Sequence, residues 1–132
     1  MPSSYRYFDG RKNEVLGRLR GLLEEEDPIL LAIIFGSFVD MDCYRDVDIA
    51  VYTVGKDLKY LAELEARLEP EVGVPVDVVP IDEISTRFRY DVLTKAIVTV
   101  EKASGLYETL LNQTIDELID LELAEGRKPP ML

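Results

Sequence analysis

Seven consecutive apolar residues, Ile29 to Phe35 (ILLAIIF), are followed at once by Gly36 and Ser37. A run this short and this uniformly apolar has no solvent side. It reads as a β-strand buried on both faces, so the sheet that contains it needs cover above and below. Helical patterns on either side in the sequence supply that cover. From Lys12 to Glu26, Val15, Leu16, Leu19, Leu22 and Leu23 recur at helical spacing, and Asp27-Pro28 ends the helix before the strand. Asp57 caps a second helix to about Glu69, with Leu58, Leu61, Ala62 and Leu68 facing inward. Pro70 to Pro75 turns into a second apolar strand, VPVDVVP. Asp82 caps a third helix to about Lys95, Ile97 to Val100 forms a short strand, and a last helix runs from near Ser104 to about Glu125. Strands separated by helices define an α/β fold.

The chain of 132 residues, 47% hydrophobic, is long enough for one core and too short for a sizeable second domain. Residues 1–126 are expected to form that single domain and 127–132 a C-terminal tail. No apolar stretch approaches the roughly 18 to 20 residues that span a bilayer, and the first residues lack the apolar core of a signal peptide. A cytoplasmic protein with no membrane association is expected. The single cysteine, Cys43, suits a reducing compartment, and the absence of histidine excludes His-dependent hydrolysis and most zinc sites. A net charge of −11 argues against a nucleic-acid substrate, because phosphate backbones are bound chiefly by clustered Lys and Arg. A small molecule or a protein fits better.

The chemistry concentrates between Gly36 and Tyr52. Asp46 and Asp48 precede the β-prone Ile49 to Tyr52. On a strand their side chains project from one face, about 6.5 to 7 Å apart at the backbone. Two such carboxylates beside a core repel unless a cation neutralises them, and magnesium, which prefers hard oxygen ligands and phosphate oxygens, meets that need. Asp77 interrupts the VPVDVVP strand where a β-branched residue is the ordinary choice. On the condition that this strand lies beside the first, Asp77 completes a triad able to serve two metal ions. Gly36 lets the backbone approach a ligand closely, Ser37 offers a hydroxyl, and amides opening a following helix offer an anion site.

Gly36-Ser37, eight intervening residues, Asp46-Val47-Asp48 and then Asp77 on a later strand resemble the polymerase-beta-type nucleotidyltransferase superfamily, in particular its minimal nucleotidyltransferase (MNT) branch. The resemblance covers most of the chain. It implies a nucleotidyltransferase fold, a small mixed β-sheet flanked by helices. It also implies Gly36 and Ser37 on nucleotide phosphates, Asp46 and Asp48 on magnesium, and Asp77 as third metal ligand or base. The activity implied is transfer of a nucleotidyl group, AMP from ATP, to an acceptor hydroxyl, with a HEPN-type helical toxin as acceptor and partner. The segment Phe38 to Asp42 departs from the family, which carries a small residue and an arginine after the Gly-Ser. The alternative is therefore a catalytically degenerate antitoxin that keeps the fold and acts by binding its partner. Three secondary features stay open at this point. Arg87, Arg89 and Lys95 meet phosphates or form a salt-bridged solvent face with Asp91; Tyr44 stacks on a base or packs over a loop; and the wide apolar stripe of the last helix closes the sheet or serves an interface, a homo-oligomer included.

Overall fold

The computed structural model describes residues 10–55 and 57–129. Its centre is a four-stranded sheet built from β1 (Ile29–Phe35), β2 (Val47–Thr53), β3 (Val76–Pro80) and β4 (Ile97–Glu101), in the order β3-β2-β1-β4. β1 runs antiparallel to both β2 and β4, whereas β2 and β3 are parallel, so the sheet is mixed. The unbroken apolar run of β1 has the reason expected of it. Ala32 and Ile34 enter one core with α1 (Gly10–Glu24) and α3 (Leu58–Val72), while Leu31 and Ile33 enter a second with α4 (Thr86–Lys95) and α5 (Leu106–Ala124). A strand with helices against both faces can spare no polar position. A single helical turn, α2 (Ser37–Asp40), joins β1 to β2.

Local chemistry sets the helix ends. Asp57 caps α3, its Oδ1 accepting from the N–H groups of Lys59 and Tyr60 at 3.0 and 3.3 Å. Pro70 does not end that helix. α3 continues to Val72 and stops at Gly73, whose left-handed backbone lets its N–H reach the Glu69 carbonyl at 2.9 Å. The inward face of α3 is Leu61, Leu64 and Leu68; Leu58 is 67% exposed and Ala62 is exposed as well, because both lie off that stripe. Asp82 does not cap α4. Burial of Ile81 draws residues Ile81–Glu83 into a short 3-10 turn, and Ser85 takes the cap, its Oγ accepting from Phe88 N–H at 3.4 Å.

Residue 127 does not leave the fold as a free tail. Arg127 N–H donates to the Glu122 carbonyl at 2.8 Å, and Pro129 is buried. Residues 1–9 and 130–132, the ends of the expected domain and tail, lie outside the described residues. Among the described residues no helix is long and apolar enough to cross a membrane. The outer edge of β3 is closed by side chains of α3: Val76 N–H donates to Glu69 Oε2 at 3.0 Å and Val78 N–H to Glu65 Oε2 at 2.7 Å. At the opposite edge Arg20 Nε donates to the Thr99 carbonyl of β4 at 3.2 Å.

Candidate functional site

β1 is followed by Gly36, with φ 81 and ψ −153, a conformation open in practice only to glycine. A Cβ built there would stand 2.5 Å from Asp48 Oδ2. The glycine thus has two reasons at once: the chain must turn, and the Asp48 carboxylate lies against its backbone. Register explains the approach, because Phe35, the residue before the glycine, is the cross-strand partner of Asp48.

The parallel pairing of β2 and β3 sets Asp48 directly beside Asp77, the adjacency on which the triad depends. Asp46 stands one residue before β2 begins and is exposed; Asp48 is half-buried and Asp77 exposed. By strand alternation Asp48 shares the face of Ala50, and Asp77 that of Val79, so both belong to the side covered by α4 and α5. Burial first, then the like charges of Asp46 and of Asp77, push the Asp48 carboxyl above its ordinary range. Three acids therefore load one end of the sheet with negative charge. Hard oxygen donors of this kind fit magnesium. Among the described residues no three His, Cys, Asp or Glu side chains are drawn together tightly enough to hold an ion as they stand.

Ser37 opens α2 and is half-buried. The far end of that turn is clamped by a residue the sequence did not single out. Lys12 of α1 is only 5% exposed; its ammonium donates to the Phe38 carbonyl at 2.8 Å and to the Met41 carbonyl, and lies 5.4 and 5.6 Å from the Phe38 and Tyr44 ring centres. Val39 and Asp40 N–H donate back to the Gly36 carbonyl at 3.0 and 3.1 Å. The segment after the Gly-Ser is consequently a packed unit. Phe38 is fully buried and meets Tyr44 edge-to-face with centroids 4.6 Å apart. Tyr44 thus packs over the turn. Asp40, Asp42 and Cys43 are exposed.

Both arginines of α4 are engaged in ion pairs with acids near the end of α5. Arg87 reaches not Asp91 on its own helix but Glu122 and Glu125 of α5 and its C-terminal turn, at 2.5 and 2.6 Å. Arg89 pairs with Glu117 at 3.2 Å and donates to the Ile84 carbonyl at 3.0 Å. Lys95 is exposed at the end of the helix. The apolar stripe of α5 resolves into a buried line, Leu110, Thr114 and Leu118, flanked by half-buried Ile115 and Ile119, with Leu123 60% exposed.

A sequence profile described as Polymerase beta, Nucleotidyltransferase matches residues 18–104. No curated protein matches the sequence. Among solved structures, one chain of the tri-AMPylated Shewanella oneidensis HEPN toxin in complex with MNT antitoxin superposes with a TM-score of 0.72 at 23% identity, covering 87% of this chain and 92% of that one. A toxin-antitoxin with AMP-PNP gives 0.69 at 24% identity, covering 87% and 92%, and the toxin-antitoxin MntA-HepT gives 0.65 at 22%, covering 88% and 91%. At these identities the likeness is one of fold. It agrees with the mixed sheet, the flanking helices and their order.

Proposed function

The chain belongs to the polymerase beta nucleotidyltransferase family, and from that premise we propose that it transfers a nucleotidyl group, AMP from ATP, to a hydroxyl of a protein partner. The observation that carries this reading is the side-by-side register of Asp48 and Asp77, with Asp46 at the mouth of the same strand and Gly36 against the Asp48 carboxylate. Support for the nucleotide and the partner comes from the fold neighbours, one holding AMP-PNP and one an AMPylated HEPN toxin beside its MNT antitoxin.

In this mechanism Asp46, Asp48 and Asp77 hold magnesium, which when bound neutralises phosphate charge and polarises the α-phosphoryl group. Asp77, the most open of the strand carboxylates at the sheet edge, takes the proton of the acceptor hydroxyl. The hydroxyl oxygen bonds to the α-phosphorus as the bond to the bridging oxygen breaks, and pyrophosphate leaves. Gly36 and Ser37 fix the departing phosphates: the glycine by giving room at the backbone, the serine by its hydroxyl. Lys12 keeps that turn in place from beneath.

A second reading is favoured by a specific observation: the exposed Asp40 and Asp42 beside the Gly-Ser turn, which add negative charge where phosphates would lie. It makes the chain a catalytically degenerate antitoxin that restrains its partner by binding alone. Calorimetric titration of ATP with and without magnesium, on the wild type and on Asp48→Asn, tests the first reading. Magnesium-dependent binding lost in the variant is expected; absence of binding in the wild type leaves the binding-only antitoxin. With the partner in hand, Asp46→Asn abolishes labelling of the partner from ATP under the first reading and leaves its restraint intact under the second.

A further inference from the structure

The wall of this site holds an aromatic side chain that the mechanism leaves unused. Phe88 stands in the first turn of α4 and is 47% exposed. One turn later on the same helix face, Val92 is buried in the core over β1. The helix thus carries Phe88 past the packed part of the sheet to its end. There its ring meets Phe35 edge-to-face, centroids 5.9 Å apart and planes at 78°. Phe35 is the last residue of β1, the neighbour of Gly36 and the cross-strand partner of Asp48. Arg87 and Arg89, on either side of Phe88, are turned to α5 by their ion pairs. Phe88 therefore overhangs the carboxylate end of the sheet, on the face from which Asp48 and Asp77 project.

We infer that Phe88 is the platform on which the base of the nucleoside triphosphate stacks, an inference that rests on nucleotide binding at the Gly36, Ser37 and aspartate site. The edge contact with Phe35 fixes the ring and leaves the rest of it open. Phosphates belong with the Gly-Ser turn and the aspartate end; an uncharged base belongs against an apolar aromatic face, on which it can stack. Stacking reads no hydrogen-bond pattern, since every base has a π-face. The site accordingly takes the common nucleoside triphosphates with modest preference, purines ahead of pyrimidines.

The chain contains no tryptophan, so Phe88→Trp places a single indole at this position. Its emission is followed during titration with magnesium-ATP and, separately, with magnesium-tripolyphosphate. The expected result is an emission change with ATP and none with tripolyphosphate. By calorimetry Phe88→Leu, which keeps an apolar contact with Phe35 and loses the π-face, binds ATP on the order of tenfold more weakly and binds tripolyphosphate as the wild type does. ATP affinity unchanged in Phe88→Leu overturns the inference while leaving the nucleotide reading standing. A loss shared equally by ATP and tripolyphosphate also overturns it and assigns Phe88 to support of the fold. A wild type that binds neither ligand removes the nucleotide reading, and the inference with it.

Discussion

Two clusters of charge lie on the α4 and α5 side of the sheet, and the fold treats them in opposite ways. Between those helices Glu122, only 8% exposed, is enclosed by Arg127 and Arg87, whose guanidiniums hold its carboxyl below the ordinary range. At the mouth of β2 and β3, Asp48 is half-buried among Asp46 and Asp77, with its carboxyl pushed the other way by burial and like charge. The first cluster is complete within the chain. The second holds like charges side by side, and under the proposed function a cation would complete it. Charge that satisfies itself holds helices together; charge left at odds with its surroundings is kept for a ligand.

Exchanging one carboxylate for its amide in each cluster breaks the comparison most forcefully. Asp48→Asn is expected to cut nucleotidyl transfer by at least about 100-fold while melting at or above the wild-type temperature. Glu122→Gln should do the reverse, melting lower with magnesium-ATP affinity unchanged. Loss of both properties in either variant would dissolve the distinction. The pH dependence sharpens it. Glu122 binds its proton less readily folded than unfolded, so its contribution is in full force above the ordinary value of 4.5 and is lost as pH falls through its lowered folded-state value. Thermal scans across that acidic window should show a shallower fall for Glu122→Gln than for the wild type.

Gly36→Ala is the next largest. The positive φ and the 2.5 Å approach to Asp48 predict a loss of roughly 1 to 3 kcal/mol in stability by denaturant titration, together with weaker magnesium-ATP binding as the carboxylate is displaced. A variant that loses stability alone would detach the glycine from the site. Smallest is Arg18→Ala. The Arg18 and Glu71 side chains pair at 2.7 Å while 59% and 40% exposed, and removing the pair should change stability by less than about 0.5 kcal/mol with no effect on nucleotide. A larger effect would show that pairing at the surface also carries structure here.

Much of the arrangement of the candidate site was legible because strands enforce it. A seven-residue apolar run with no polar gap admits little besides a central strand, and an acid inside VPVDVVP has few reasons to exist away from the Asp46 and Asp48 pair. What the sequence withheld depends on partners distant along the chain. Periodicity offered Arg87 an acid on its own helix, at Asp91, but could not see that α5 brings Glu122 and Glu125 nearer. Two good capping residues, Asp82 and Ser85, stand three apart, and burial of Ile81 decides between them. Pro70 reads as a helix end, yet α3 carries it two residues from its close. Nothing in the pattern around Lys12 marks it as the clamp of the Gly-Ser turn, and nothing around Phe35 announces Phe88; both pairings are made by the way helices cross the sheet.

The two glutamates that close the outer edge of β3 bear on how another molecule can meet Asp77. A strand whose outward N–H groups are already taken cannot template a foreign strand. Docking by sheet extension is therefore barred beside the very residue assigned to receive the acceptor's proton. Whatever delivers a hydroxyl there must present it from a helix or a loop, one side chain at a time.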